Sequence, residues 1–157
     1  MKLSNRLMAS GAAGIALAAS AIYVAAPGHA ATTIKVTEKQ VTFGLSDAAP
    51  KGFSVGDTAS FYNTLTNTSD GTPAGYDTVQ CVVERVLNAA NHSAVLQCFG
   101  TVRLQSGTIT VQGNLWQNNT SSRLAVTGGT GAYEGAQGNL VVPPGQSETT
   151  KLTITLR

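Results

Sequence analysis

Thr149-Thr150-Lys151-Leu152-Thr153-Ile154-Thr155-Leu156-Arg157 ends the chain, and its reading decides the fold. Leu152, Ile154 and Leu156 alternate with Lys151, Thr153, Thr155 and Arg157. A strand that rests one face on a core produces this spacing, because successive side chains point to opposite sides of a pleated sheet. Upstream, Ile109, Val111 and Leu115 alternate in the same way with Thr108, Thr110 and Gln112. Comparable runs fall at about 34–43, 58–66, 76–87, 92–104, 108–117, 122–128, 137–142 and 149–156. Turn-rich stretches such as Asn67-Thr68-Ser69-Asp70-Gly71 and Gly128-Gly129-Thr130-Gly131 separate them. The 20 threonines and many valines suit a pleated surface, and no stretch of ten or more residues carries a helical apolar stripe. The pattern predicts an all-β fold: a single eight-stranded antiparallel β-barrel, up-and-down or Greek-key, with a sandwich as the alternative. Eight strands enclose just enough space to be filled by side chains or to hold one small ligand.

The barrel is expected over residues 31–157. Residues 1–30 read as a signal peptide: Lys2 and Arg6 form a basic start, Leu7 to Ala26 is uncharged and apolar, and Gly28 and Ala30 place small residues at a cleavage boundary. A single membrane anchor is the alternative for a run of this length. Cleavage implies a secreted protein that leaves the membrane. The whole chain has 10 Lys and Arg against 8 Asp and Glu. Without Lys2 and Arg6 the two signs balance, and no basic cluster remains to serve as a nucleic-acid or membrane-surface footprint. His92 is then the one histidine, beside a turn, and the sequence shows no metal cluster and no cofactor fingerprint.

Period-two reading also puts polar groups on apolar faces. Glu38 and Gln40 share a face with Ile34 and Val36, and Asn63 shares one with Phe61 and Leu65. Such groups are costly to bury unless paired. A bulge after Val36 would return Glu38 to water, and Val41 and Phe43, on the opposite parity, permit that. Otherwise Glu38 points inward beside Gln40 and Asn63.

The cysteines fall on one hairpin. Pairing Asn88 with Asn91 across the turn sets Cys81 opposite Cys98, on the face of Val79, Val83, Leu96 and Val102. An oxidising compartment favours a disulfide between them. Two buried thiols, or one functional cysteine, are the alternatives, because a one-residue slip would put the sulfurs on opposite faces.

The segment Leu124-Ala125-Val126-Thr127-Gly128-Gly129-Thr130-Gly131-Ala132-Tyr133-Glu134-Gly135-Ala136-Gln137-Gly138 resembles the signature of the allene oxide cyclase and dirigent-like barrels. Gly56-Asp57, Cys81-Val82-Val83-Glu84 and Thr110-Val111-Gln112-Gly113 agree in order, and the chain looks most like exported bacterial members. The resemblance implies a barrel with an apolar cavity, often assembled as a homotrimer, that works without a cofactor. It assigns Glu38 to promoting ring opening and cyclisation and Asn63 to holding a water on the substrate oxygen. Gln40, Phe61 and Cys81 would line the ligand cavity, Cys81 matching a cavity cysteine of the plant enzymes. The plant Ser-Pro that helps to bind the water has no counterpart between Val41 and Gly52.

Three functions compete. The barrel is a small cyclase or isomerase acting on an apolar lipid-like or polyketide-like molecule, a dirigent-like guide that steers a reactive intermediate, or a carrier of hydrophobic ligands. Dirigent proteins of plants tend to use cavity aspartates, and Asp77 is the candidate here.

Overall fold

A computed structural model describes residues 31–117, 120–145 and 147–157; the expected signal peptide, residues 1–30, lies outside the described residues. Eight strands form: β1 (Thr32–Ser46), β2 (Thr58–Asn67), β3 (Pro73–Asn88), β4 (Ser93–Leu104), β5 (Gly107–Trp116), β6 (Ser122–Gly131), β7 (Gly138–Val142) and β8 (Thr149–Leu156). Each pairs antiparallel with its sequence neighbour, and β1 pairs with β8 to close the barrel. The topology is therefore up-and-down, and neither the Greek key nor the sandwich is realised. Closure leaves no unpaired sheet edge, which open sheets must otherwise protect.

The alternating residues supply the core. Leu152 and Ile154 from β8 meet Val36, Leu65, Val102, Leu104 and Ile109, all buried. These side chains pack together in the barrel interior toward the end where β1 begins and β8 finishes. Tight curvature there depends on glycine. Gly75 has φ +154°, and a Cβ at this position would lie 1.9 Å from the Arg103 carbonyl oxygen. Only a residue without a side chain lets β3 approach β4 this closely.

Two register details depart from the simple strand reading. First, β3 carries an extra residue between Val83 and Arg85 and another between Val86 and Asn88. Asn88 consequently pairs with Ser93, not with Asn91, and a 3-10 turn (Ala89–Asn91) makes the link. The irregularities end before the cysteines, so Cys81 does face Cys98. The two sulfurs are bonded, with the Cα atoms 4.1 Å apart. This excludes the paired-thiol and single-functional-cysteine alternatives. Second, β1 bulges between Gln40 and Thr42, not after Val36. Glu38 therefore keeps the inward parity of Val36. Beyond the bulge the parity reverses, so Phe43 comes to face Phe61 with ring centroids 5.3 Å apart.

Candidate functional site

Buried Val36, Ile109 and Ile154 close the barrel interior on one side, beyond which a shallow recess of about 520 Å³ lies over Ile34, Ala74 and Leu104, and the other half is open. The open half holds an inner cavity of about 120 Å³, walled by Val79, Leu96, Val111, Leu124, Leu140 and Leu152 and by the Cys81–Cys98 disulfide. A wider mouth of about 390 Å³ continues from it, shaped by Phe43, Leu45, Phe53 and Phe61. Phe61, Cys81, Leu96 and Gln117 line both spaces, so the two form one passage.

The mouth is shaped by the 47–57 loop, which Asp57 braces. Its carboxylate accepts from the backbone amides of Ser54 (2.8 Å) and Ala48 (2.9 Å) and from the Ser54 hydroxyl (3.3 Å). These bonds, the Ser54 amide first, hold the Asp57 carboxyl below the usual range. Gly56-Asp57 thus has a structural task at the rim. On the same rim His92 is exposed and rests its ring 5.1 Å from that of Phe53.

Three polar side chains occupy the inner cavity where it meets the packed core. Asn63 lies directly across β2–β3 from Asp77 and across β1–β2 from Gln40, with Glu38 on the neighbouring diagonal. Asn63 is 1% exposed and Asp77 2%, while Glu38 is half-buried. The Asn63 Nδ2 donates to Asp77 Oδ1 at 2.7 Å and also to Glu38 Oε1. A primary amide has two N–H bonds, one for each carboxylate. Asn63 Oδ1 is left buried without a partner among the described residues.

Burial first, and then the Asp77 charge, raises the Glu38 carboxyl from its usual 4.5 to about 7. Burial raises Asp77 from 3.8 to about 6, against the lowering effect of the Asn63 hydrogen bond. Two carboxyls in one dry site cannot both ionise cheaply, so the cluster keeps a proton near neutral pH. A protonated carboxyl beside an ionised one is equipped for general acid and general base work on the same molecule.

Glu38, Gln40, Asn63, Phe61 and Cys81 all line this passage, Gln40 as an exposed residue. Cys81 does so as half of the disulfide, and no free cysteine remains among the described residues. Asp77, which the resemblance offers as a dirigent-type cavity aspartate, lines the inner cavity as well. Its parity with Val79, Cys81 and Val83 already placed it indoors. Among the described residues, no group of three or more His, Cys, Asp or Glu side chains is arranged to hold a metal ion.

Residues 31–156 match the family model of the allene oxide cyclase barrel-like domain. The chain belongs to that family. Sequence comparison with curated proteins gives no match. Among solved structures, the allene oxide cyclase-like barrel is similar to a pyocyanin demethylase at 26% identity and a TM-score of 0.71, over 80% of this chain and all of that one. It is also similar to AbnU, an exo-specific intermolecular Diels-Alderase, at 17% identity and a TM-score of 0.64, over 83% of this chain and 98% of that one. A pterocarpan synthase dirigent protein aligns at 14% identity and a TM-score of 0.62, over 81% of this chain and 83% of that one. At such identities the last two show that the fold is shared. Cyclases and dirigent proteins alike are built on it.

Proposed function

We propose that this allene oxide cyclase-like barrel is an exported, cofactor-independent enzyme that cyclises or isomerises a small, largely apolar molecule held in its open half. One observation carries the reading: a carboxyl pair joined through Asn63 is buried within an apolar passage that opens to solvent. Shaping one flexible substrate against such walls supplies much of the rate, and one proton moved by Glu38 or Asp77 supplies the rest. The roles of Gln40 and Phe61 are to line and orient. The disulfide supports export, since such bonds persist in oxidising compartments.

Mass spectrometry under native conditions, on protein purified from its own culture medium, tests the binding half of the reading. A retained small molecule is expected, and an empty barrel with an intact disulfide counts against it. The catalytic half is tested with Glu38→Gln on that molecule. Turnover should fall by about two orders of magnitude or more, the size of a lost general acid or base.

A second reading has its own support. Asp77 lies in the cavity, as a dirigent-type aspartate would, so the barrel could steer coupling of a reactive intermediate formed elsewhere. Under that reading Asp77→Asn changes the stereochemical outcome, and the protein alone converts nothing.

A further inference from the structure

The inner cavity sets two carboxyls among neutral polar side chains, Gln40, Gln117, Thr101, Ser147 and Thr150, with no positive charge to balance them among the described residues. Within the cluster itself, in its ionised form, the atoms left for a ligand are acceptors: the Glu38 and Asp77 carboxylates and the unpartnered Asn63 Oδ1. The one donor among the three side chains, Asn63 Nδ2, is spent on the carboxylates. Among the described residues, no Lys, Arg or His lines the inner cavity. The mouth adds Asp47 and Asp57 to the acidic side, and His92 is its basic residue among the described residues. Asp57 is committed to its loop, and His92 to the rim beside Phe53.

Such a site lacks its complement. A buried acceptor without a partner is costly, and a buried carboxylate without a counter-charge costs more. The missing group is a donor, best a positively charged one. The surroundings define the remainder of the ligand. The inner cavity, at about 120 Å³, admits a few heavy atoms beside the carboxyls, whereas the mouth of about 390 Å³ is of a size to hold fused rings. Phe43, Phe53 and Phe61 offer aromatic surface there, and Phe43 is 51% exposed and Leu45 64% without a ligand. Flat apolar rings fit between such side chains.

We propose that the cavity selects a molecule with a flat apolar body and one cationic or N–H-donating nitrogen, the nitrogen seated among Glu38, Asp77 and Asn63 Oδ1 and the rings lying in the aromatic mouth. This rests on the reading that the passage holds a small molecule, and it narrows the class: neutral hydrocarbons and carboxylic acids are disfavoured, alkylated or protonated heteroaromatic amines favoured. Binding of a permanent cation also drives the shared proton off the carboxyl pair.

The test compares three probes of nearly equal shape on the native protein by titration calorimetry: 1-methylquinolinium, 1-methylnaphthalene and 1-naphthoate. At about pH 8, where both carboxyls are mostly ionised, the cation should bind at least about tenfold more tightly than 1-methylnaphthalene. 1-Naphthoate should bind weakest. At pH 6 to 7, roughly where the pair titrates, the cation should release protons to buffer. In Glu38→Gln/Asp77→Asn the affinity for the cation should fall to that of the neutral probe. Equal or tighter binding of 1-methylnaphthalene, or of 1-naphthoate, overturns the nitrogen selectivity and leaves the small-molecule cavity standing. Failure of all three to bind overturns both. The comparison among probes is made on the unaltered protein, so it does not depend on the variant folding.

Discussion

Asn63 and Asp77 face each other across β2 and β3, and the Asn63 amide donates to the Asp77 carboxylate at 2.7 Å in the wall of the cavity. The same nitrogen also serves Glu38, so one side chain ties together three strands and two acids. A core built for stability alone would not carry this arrangement. Apolar residues of similar volume would avoid the desolvation that raises both carboxyls. The cost is sensible where the acids meet a ligand.

The acids make stability depend on pH in a direction that ordinary carboxylates do not. A raised folded-state pKa means that the fold prefers the protonated form. The Glu38 contribution is complete below about 4.5 and is lost as the pH rises through about 7. That of Asp77 is lost between about 3.8 and about 6. Tm should therefore fall by several degrees from pH 5 to 8, for a loss on the order of 2 kcal/mol. Glu38→Gln should raise Tm at pH 8 and change it little at pH 5. Thermal melts across this range check the sign, and a Tm that stays flat or rises contradicts it.

The disulfide closes a loop with a sequence separation of 17. In the chain-entropy model, opening it costs about 3 kcal/mol. Reduction should lower Tm by roughly 10 °C for a domain of this size, and non-reducing digestion should release one Cys81–Cys98 peptide pair. Two alkylatable thiols in the native protein would contradict the bond.

Asp57 fixes the rim through three hydrogen bonds within the 47–57 loop. Asp57→Ala removes all three acceptor contacts, and the loop carries an exposed lysine, Lys51. Trypsin should then cut after Lys51 faster than in the parent, with the barrel strands left intact. Unchanged cleavage would mean that the aromatic packing at the rim, and not Asp57, holds the loop.

Much of this was legible before any coordinates. The eight strands follow from alternation, because each needs one apolar face for the closed core. Glu38 and Asn63 stood out as polar residues on such faces. Three facts were not legible. The β1 bulge lies between Gln40 and Thr42, and which residue a strand leaves unpaired depends on its neighbour's register, not on its own pattern. It keeps Glu38 inside and turns Phe43 toward Phe61. The two extra residues of β3 likewise moved the partner of Asn88 to Ser93. The weight of Asp77 was missed for another reason: its inward parity was readable, but its contact with Asn63 depends on the β2–β3 register.

The most direct measurement is a carbon-13 NMR titration of the side-chain carboxyls in the folded protein. The account predicts one carboxyl titrating near 7 and a second near 6, each perturbing the other, with the higher transition absent in Glu38→Gln and the lower absent in Asp77→Asn. A protein in which every Asp and Glu titrates below about 5, as solvated carboxylates do, would contradict a proton-holding cluster in the cavity.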